Sequence, residues 1–237
     1  MKKERLDKLV ASQGLLSRND VKALLKRGEI TVNGSVIKDA SFKVSYEDLI
    51  IVEGTPLCQS EFTYIMLNKP KGVVSAVDDK RCKTVVDILP EELKRKNLFP
   101  AGRLDKDTTG FSLITDDGDF AHNILAPGRH VDKTYIATVS DEIDFESAKK
   151  AFNEGVVLKD GTILLSAELY EIADRKNTYK VIIKEGKYHQ IKRMFASLGT
   201  TVIELKRIAI GGLFLDEKLA EGSARLITKE ELDMIIQ

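Results

Sequence analysis

The run Gly102-Arg103-Leu104-Asp105-Lys106-Asp107-Thr108-Thr109-Gly110 sets a carboxylate in a glycine-bounded polar turn, which passes at once into the apolar stretch Phe111-Ser112-Leu113-Ile114-Thr115. A buried strand fixes what the preceding turn presents, so Asp105 is placed to act as one rigidly held reactive group at the mouth of a cleft. An ionised carboxylate in that position can add to an electrophilic carbon and leave again. Taken alone, the same aspartate reads equally well as a turn cap. Two further stretches stand with it. Upstream, Lys69-Pro70-Lys71-Gly72-Val73-Val74-Ser75 joins a proline that fixes a turn to a glycine that lets backbone approach closely. Downstream, Gly186-Lys187-Tyr188-His189-Gln190-Ile191-Lys192-Arg193-Met194-Phe195 brings cations and aromatic rings to the start of an expected helix.

These three stretches, in this order, resemble the RsuA family of pseudouridine synthases, which isomerise uridine within ribosomal RNA. The resemblance implies a bond broken between ribose C1′ and uracil N1, rotation of the base and rejoining through C5. Nothing is oxidised and no group is lost, so no cofactor is expected. Asp105 takes the nucleophile's place, attacking either C1′ or C6 of the ring. Lys192, after His189-Gln190-Ile191, takes that of its basic partner, and a nearby cation favours an ionised carboxylate. Arg193, its neighbour, is expected on phosphate or on a solvated helix face. Tyr135, within Lys133-Thr134-Tyr135-Ile136-Ala137-Thr138-Val139, corresponds to the family's active-site tyrosine, a stacking platform whose hydroxyl can take part in proton removal from C5. Arg103 is suited to fill the space left by an extruded base, with an ion pair to Asp107 as the plainer reading. Lys69 and Lys71 are expected mainly as scaffold, with contacts to RNA backbone. Thr108 and Thr109 are expected to hydrogen-bond within the loop. Tyr188-His189 before Gln190 is similar to the small-subunit rRNA branch. Phe111-Ser112 and Asp116 depart from the family's usual Leu-Leu and Asn.

Composition bounds the rest. The chain has 237 residues, 43% apolar and 31% charged, with 37 basic and 37 acidic side chains. That describes an ordinary folded chain and by itself argues for no RNA partner. The distribution does argue for one. Nine basic side chains face four acidic ones over residues 1–38, including Lys2 and Lys3 at the start of the chain. Such asymmetry marks a basic module. Cys58 and Cys82 lack metal-ligand or disulfide spacing, and His122, His130 and His189 are scattered, so no metal site is expected. No stretch reads as a signal peptide or membrane span, and a cytoplasmic monomer without membrane partners is expected.

The elements that must position these groups fall into an α+β arrangement. Helical spacing over 4–12 ends at Gly14. Ser17, with Asp20 three residues on, opens a second helix that ends at Gly28. Ile30-Thr31-Val32 and Val36-Ile37 flank Asn33-Gly34, a hairpin signal, and Asp48 to Val52 adds a strand. Arg5, Arg18, Lys22, Lys26 and Arg27 then form the basic face of a small N-terminal domain, residues 1–58. Arg5-Leu6-Asp7, Ser17-Arg18, Lys26-Arg27-Gly28 and Val32-Asn33-Gly34 resemble the RNA-binding domain named after ribosomal small-subunit protein four. Gly54 to Ser60 reads as a linker. Residues 59–237 are expected to form a larger, mainly antiparallel mixed-sheet catalytic domain with a central cleft. Its strands are expected at 64–67, 73–77, 111–115, 135–139, 163–165, 179–183 and 202–208, and its helices at 119–126, 144–154, 188–198 and 228–236.

Three other readings compete. A non-catalytic RNA-binding factor would have to lack Asp105 or Tyr135, and the chain has both. A metal-dependent phosphotransferase would have to gather Asp105, Asp107, Asp116, Asp117 and Asp119, which a full strand separates. A glycoside hydrolase needs two flanking carboxylates, and no second one has a setting like that of Asp105.

Overall fold

The computed structural model describes residues 3–236 apart from Leu15, Cys58, Gln59, Pro127, Arg129, His130 and Lys159. Lys2, Cys58 and His130, weighed above, therefore lie outside the described residues, as does the expected domain boundary at 58/59. The chain divides into two units, Met1–Thr63 with Pro90–Leu98, and Tyr64–Leu89 with Phe99–Gln237. Residues 90–98 thus belong with the N-terminal unit, although they lie far from it in sequence.

The first unit is built on local signals. β1 (Glu4–Arg5) runs into α1 (Leu6–Ser12), and α2 (Arg18–Arg27) follows. Ser17 caps α2 in a reciprocal box: its side chain accepts from the Asp20 amide, and the Asp20 carboxylate accepts from the Ser17 amide. Gly28 closes the helix in the left-handed region, as expected. β2 (Ile30–Val32), β3 (Ser35–Val36), β5 (Ile50–Val52) and β6 (Thr55–Pro56) form a sheet in the order β3-β2-β5-β6, while β4 (Lys43–Val44) pairs with β1. The segment read as a linker therefore begins as a strand. Glu53-Gly54 turns the chain back on β5, because both residues adopt positive φ. Leu6, Leu9, Val10, Val21, Leu24, Leu25, Ile30 and Ile50 fill the core.

The second unit is a nine-stranded sheet. Its strands are β7 (Tyr64–Lys69), β8 (Phe99–Pro100), β9 (Thr109–Thr115), β10 (Lys133–Val139), β11 (Glu168–Glu171), β12 (Thr178–Ile183), β13 (Val202–Ile210), β14 (Leu213–Phe214) and β15 (Ala224–Leu226). The main order is β11-β12-β10-β13-β9-β7-β15. All pairings are antiparallel except β13 with β9, where only Lys206↔Thr109 and Arg207↔Gly110 pair. That short parallel junction is the middle of the sheet, and Gly110 makes it possible. A Cβ there would lie 2.2 Å from the Arg207 carbonyl oxygen, and φ is +94°.

The helices are α3 (Gly118–Leu125), α4 (Phe145–Glu154), α5 (Gln190–Ser197) and α6 (Lys229–Ile236). Two cores flank the junction. Tyr135, Ala137 and Val139 alternate along β10 and pack with Val181, Ile183, Phe152, Met194 and Phe195. Met66, Phe111, Leu113, Ile124, Ile210 and Ile235 form the other. Two expected strands fail for want of a partner: among the described residues, 73–77 make only the bridge Val74↔Thr84, and 163–165 only Val157↔Ile163.

Candidate active site

The turn that precedes β9 is held from several sides. The Ala101 amide donates to the Leu113 carbonyl, the Leu104 amide to the Ser75 hydroxyl at 3.0 Å, and the Gly72 amide to the Lys106 carbonyl at 2.8 Å. The Thr108 amide closes the loop by donating to the Asp105 carbonyl. Ser75 stood in the upstream motif without an assigned role, and this hydrogen bond supplies one.

Lys69 is part of the scaffold of this turn. Its side chain is fully buried, and the ammonium donates to the carbonyls of Thr108 (2.7 Å), Pro70 (3.1 Å) and Lys106 (3.3 Å). It cannot reach RNA backbone from there. Instead it ties the upstream motif to the Asp105 turn. Burial pushes its pKa down to about 8, against the pull of Asp107 and Asp105. Lys71, by contrast, is exposed.

The Asp105 side chain is 27% exposed. Lys192 Nζ lies 3.1 Å from its Oδ2, and His189 Nε2 lies 3.5 Å from its Oδ1. Lys192 also donates to Asp107 Oδ1 at 2.6 Å. Burial acts to lower the Lys192 pKa, but hydrogen bonds to Asp107 and Asp105 prevail and raise it. The bond from Lys192 in turn holds the Asp107 carboxyl below its ordinary value. Asp107 is thus the partner of Lys192, not of Arg103, which is exposed on the cleft rim.

Tyr135 lines the same cleft, with Leu104, Ile183, Ile191 and Leu205 as its apolar wall. The β10–β13 pairing shifts register between Thr134 and Tyr135, next to the cleft. The cleft is small, about 60 Å³. Ligand pockets usually exceed about 300 Å³, so a nucleoside must widen it. A larger groove of about 750 Å³ borders Asp107 and Thr109, but Glu204, Asp216, Glu217 and Glu221 line it with Lys71, Arg175 and Lys206. With more carboxylates than cations, it is poorly suited to RNA phosphates.

The loop before α5 is fastened by Gln190, whose side chain accepts from the Lys187 amide (2.9 Å) and donates to Glu185 (3.1 Å). His189 takes φ +48° at the head of the helix. The geometry therefore brings Asp105, Lys192, Tyr135, Arg103 and Thr108 to one cleft and adds His189, which sequence reading did not place among the site residues. Arg193 ion-pairs with Asp160 at 2.8 Å while still half-buried. Thr108 bonds within the loop through its backbone amide, while its hydroxyl is buried without a hydrogen-bond partner among the described residues. Asp117 serves elsewhere, capping α3 and accepting from the Tyr64 hydroxyl. Among the described residues no three His, Cys, Asp or Glu side chains cluster as metal ligands.

In the N-terminal unit, Arg5 makes a two-point ion pair with the buried Asp7, and Arg27 pairs with Glu29 at 2.8 Å. Both side chains remain about half exposed beside these carboxylates, so an RNA phosphate there would compete with the ion pair. Arg18, Lys22 and Lys26 are exposed. Among the described residues no helix is long and apolar enough to cross a membrane.

Comparison with known proteins adds independent findings. Residues 63–197 match the RNA pseudouridylate synthase family and residues 4–50 the S4 domain. The chain is 42% identical to the uncharacterized RNA pseudouridine synthase YtzG of Bacillus subtilis, over 98% of each chain. It is 40% identical to ribosomal small subunit pseudouridine synthase A of Escherichia coli, over 98% of this chain and 100% of that one. A crystal structure of a pseudouridylate synthase superposes with a TM-score of 0.67 at 38% identity, covering 98% of this chain and 100% of the other. A family match over more than half the chain, joined by near-complete coverage of such relatives, makes this protein a member of the RNA pseudouridine synthase family, with an S4 domain at its N-terminus.

Proposed function

We propose that this enzyme converts a uridine of small-subunit ribosomal RNA to pseudouridine, with Asp105 as the nucleophile and no cofactor. The observation that carries the reading is the Asp105 carboxylate, fixed at a cleft with Lys192 at 3.1 Å and Tyr135 on the wall. The choice of rRNA rests on relatives named as ribosomal small subunit pseudouridine synthase A.

The chemistry fits the residues. Extruding a base costs a few kcal/mol of stacking and pairing, and the Arg103 guanidinium on the rim can fill the vacancy. Asp105 attacks ribose C1′ or C6 of the ring reversibly, with the Lys192 ammonium 3.1 Å from its Oδ2 as the neighbouring cation. The C1′–N1 bond breaks with its electron pair passing to uracil, the base turns within the cleft, and C5 bonds to C1′. Asp105 leaves with the electron pair of its own bond, and N1 takes up a proton in place of the one C5 gives up. Tyr135 stacks against the base and takes part in removing the C5 proton after the new bond forms. Substrate and product are isomers, so the reaction itself calls for no redox partner or group carrier. Residues 1–58, joined by 90–98 in the same unit, form the RNA-binding domain and the rest of 59–237 the catalytic one, and Arg18, Lys22 and Lys26 hold rRNA phosphates in the cytoplasm.

The test is nucleoside mass spectrometry of small-subunit rRNA treated with the wild-type enzyme and with Asp105→Asn. Pseudouridine should form with the first only, while both bind the RNA. Turnover by Asp105→Asn would remove that residue from the role. The absence of product with the wild-type enzyme would remove the substrate.

A further inference from the structure

Tyr188 is 75% exposed, more than any other large apolar side chain among the described residues. Its ring stacks on that of His189, with centroids 3.8 Å apart and planes 20° from parallel. His189 in turn reaches Asp105, with Nε2 3.5 Å from Oδ1. The three side chains form a path from the carboxylate outward, ending in an aromatic face open to solvent. Two features keep that path in place. His189 adopts φ +48°, an uncommon conformation for a residue with a side chain, and Gln190 clamps the backbone at Lys187 from within the fold.

We propose that the Tyr188–His189 pair is a stacking step for the RNA base adjacent to the extruded uridine. The inference rests on the reading of the cleft as the uridine site. Flipping one nucleotide out leaves its neighbour without a stacking partner on one side. An exposed aromatic face close to the nucleophile replaces that partner, and it does so for any base because each has a π face. The exposed Lys187, whose ammonium also donates to the Ile163 carbonyl (3.0 Å) and lies 3.5 Å from Glu185, adds positive charge beside the pair for a flanking phosphate. A protein partner would call for a broader apolar patch than this single pair offers.

The chain contains no tryptophan, so Tyr188→Trp introduces a lone indole as a reporter. With a small-subunit rRNA transcript as probe, the indole emission should be quenched as RNA binds. Tyr188→Ala should raise KM about tenfold, equivalent to about 1.4 kcal/mol, with kcat within about twofold of wild type. Tyr188→Phe, which keeps the ring, should restore the wild-type KM. Because the side chain is so exposed, the thermal midpoint should be the same in all variants. An unquenched indole, an unchanged KM in Tyr188→Ala, or a loss confined to kcat would overturn the stacking step. Wild-type enzyme that forms no pseudouridine would instead overturn the underlying reading, which the same assay reports separately.

Discussion

Lys192 Nζ lies 2.6 Å from Asp107 Oδ1, nearer than to the proposed nucleophile Asp105, whose Oδ2 is at 3.1 Å. The ammonium is divided between two carboxylates on one turn. Asp107 is the more exposed of the two, and it keeps Lys192 from fully neutralising Asp105. Replacing Asp107 by Asn gives the whole cation to Asp105, which stabilises the carboxylate before attack more than during it. The expected result is a fall in kcat of about threefold to tenfold. Residues that share a partner do not add, so Asp107→Asn should cost nothing further in a Lys192→Met background. Additive losses in single-turnover rates would show that Asp107 acts independently of Lys192.

Lys69 predicts opposite effects of alkaline pH on rate and on stability. Its pKa is about 8 in the folded chain against an ordinary 10.5. Between those values the unfolded chain keeps a proton that the folded chain has lost. This group's contribution to stability therefore rises with pH across that window. The loop fares differently, because a neutral amine has two protons for three carbonyls. We expect kcat to fall above about pH 8 while the Lys69 contribution to folding improves. Lys69→Met should be slow at every pH and lack that alkaline limb. A wild-type profile flat through pH 8, or the same limb in Lys69→Met, would count against the clamp.

Gly110→Ala tests the parallel junction. The new methyl would lie 2.2 Å from the Arg207 carbonyl oxygen and 2.9 Å from Lys206 Cγ, at a φ of +94°. Backbone on one side and a strained conformation on the other leave no easy relaxation, so a loss of about 3 kcal/mol is expected. For a chain of this size that lowers the thermal midpoint by roughly 6–12 °C. Gly72→Ala is the control, since its φ is +89° but nothing lies within 4 Å of the added carbon. If calorimetry gave equal midpoints for the two variants, close approach would not be what Gly110 serves.

Much of this arrangement was legible in the sequence because it is local. The box at Ser17 and Asp20, the stop at Gly28 and the turn at Asn33-Gly34 each depend on neighbours within a few residues. β9, β10 and β12 were legible from apolar pattern. β11, β14 and β15 were not, since each is two to four residues long and takes its strand character from a partner remote in sequence. At the site, Asp105, Tyr135 and Lys192 were read from motif residues, whereas the burial of Lys69 was hidden. A lysine reads as solvent-facing, and only the carbonyls of 106 and 108 folding over it reveal otherwise. The competition of Asp107 for Lys192 needed coordinates for the same reason.

The N-terminal unit offers a prediction that separates binding from chemistry. Arg5 and Arg27 are already held by Asp7 and Glu29, so Arg18, Lys22 and Lys26 are the cations with free reach on that unit's basic face. Changing all three to Gln should weaken binding to small-subunit rRNA and flatten its salt dependence. Each lost phosphate contact removes about 0.7–0.9 from the slope of log K against log salt, so three contacts remove about 2–3. The substitutions sit on an exposed helix face and should leave stability within about 0.5 kcal/mol. At saturating RNA the rate should be unchanged, because none of the three touches the cleft. The decisive comparison is therefore the slope. A variant that binds more weakly with the wild-type salt dependence would mean that these side chains do not meet phosphate.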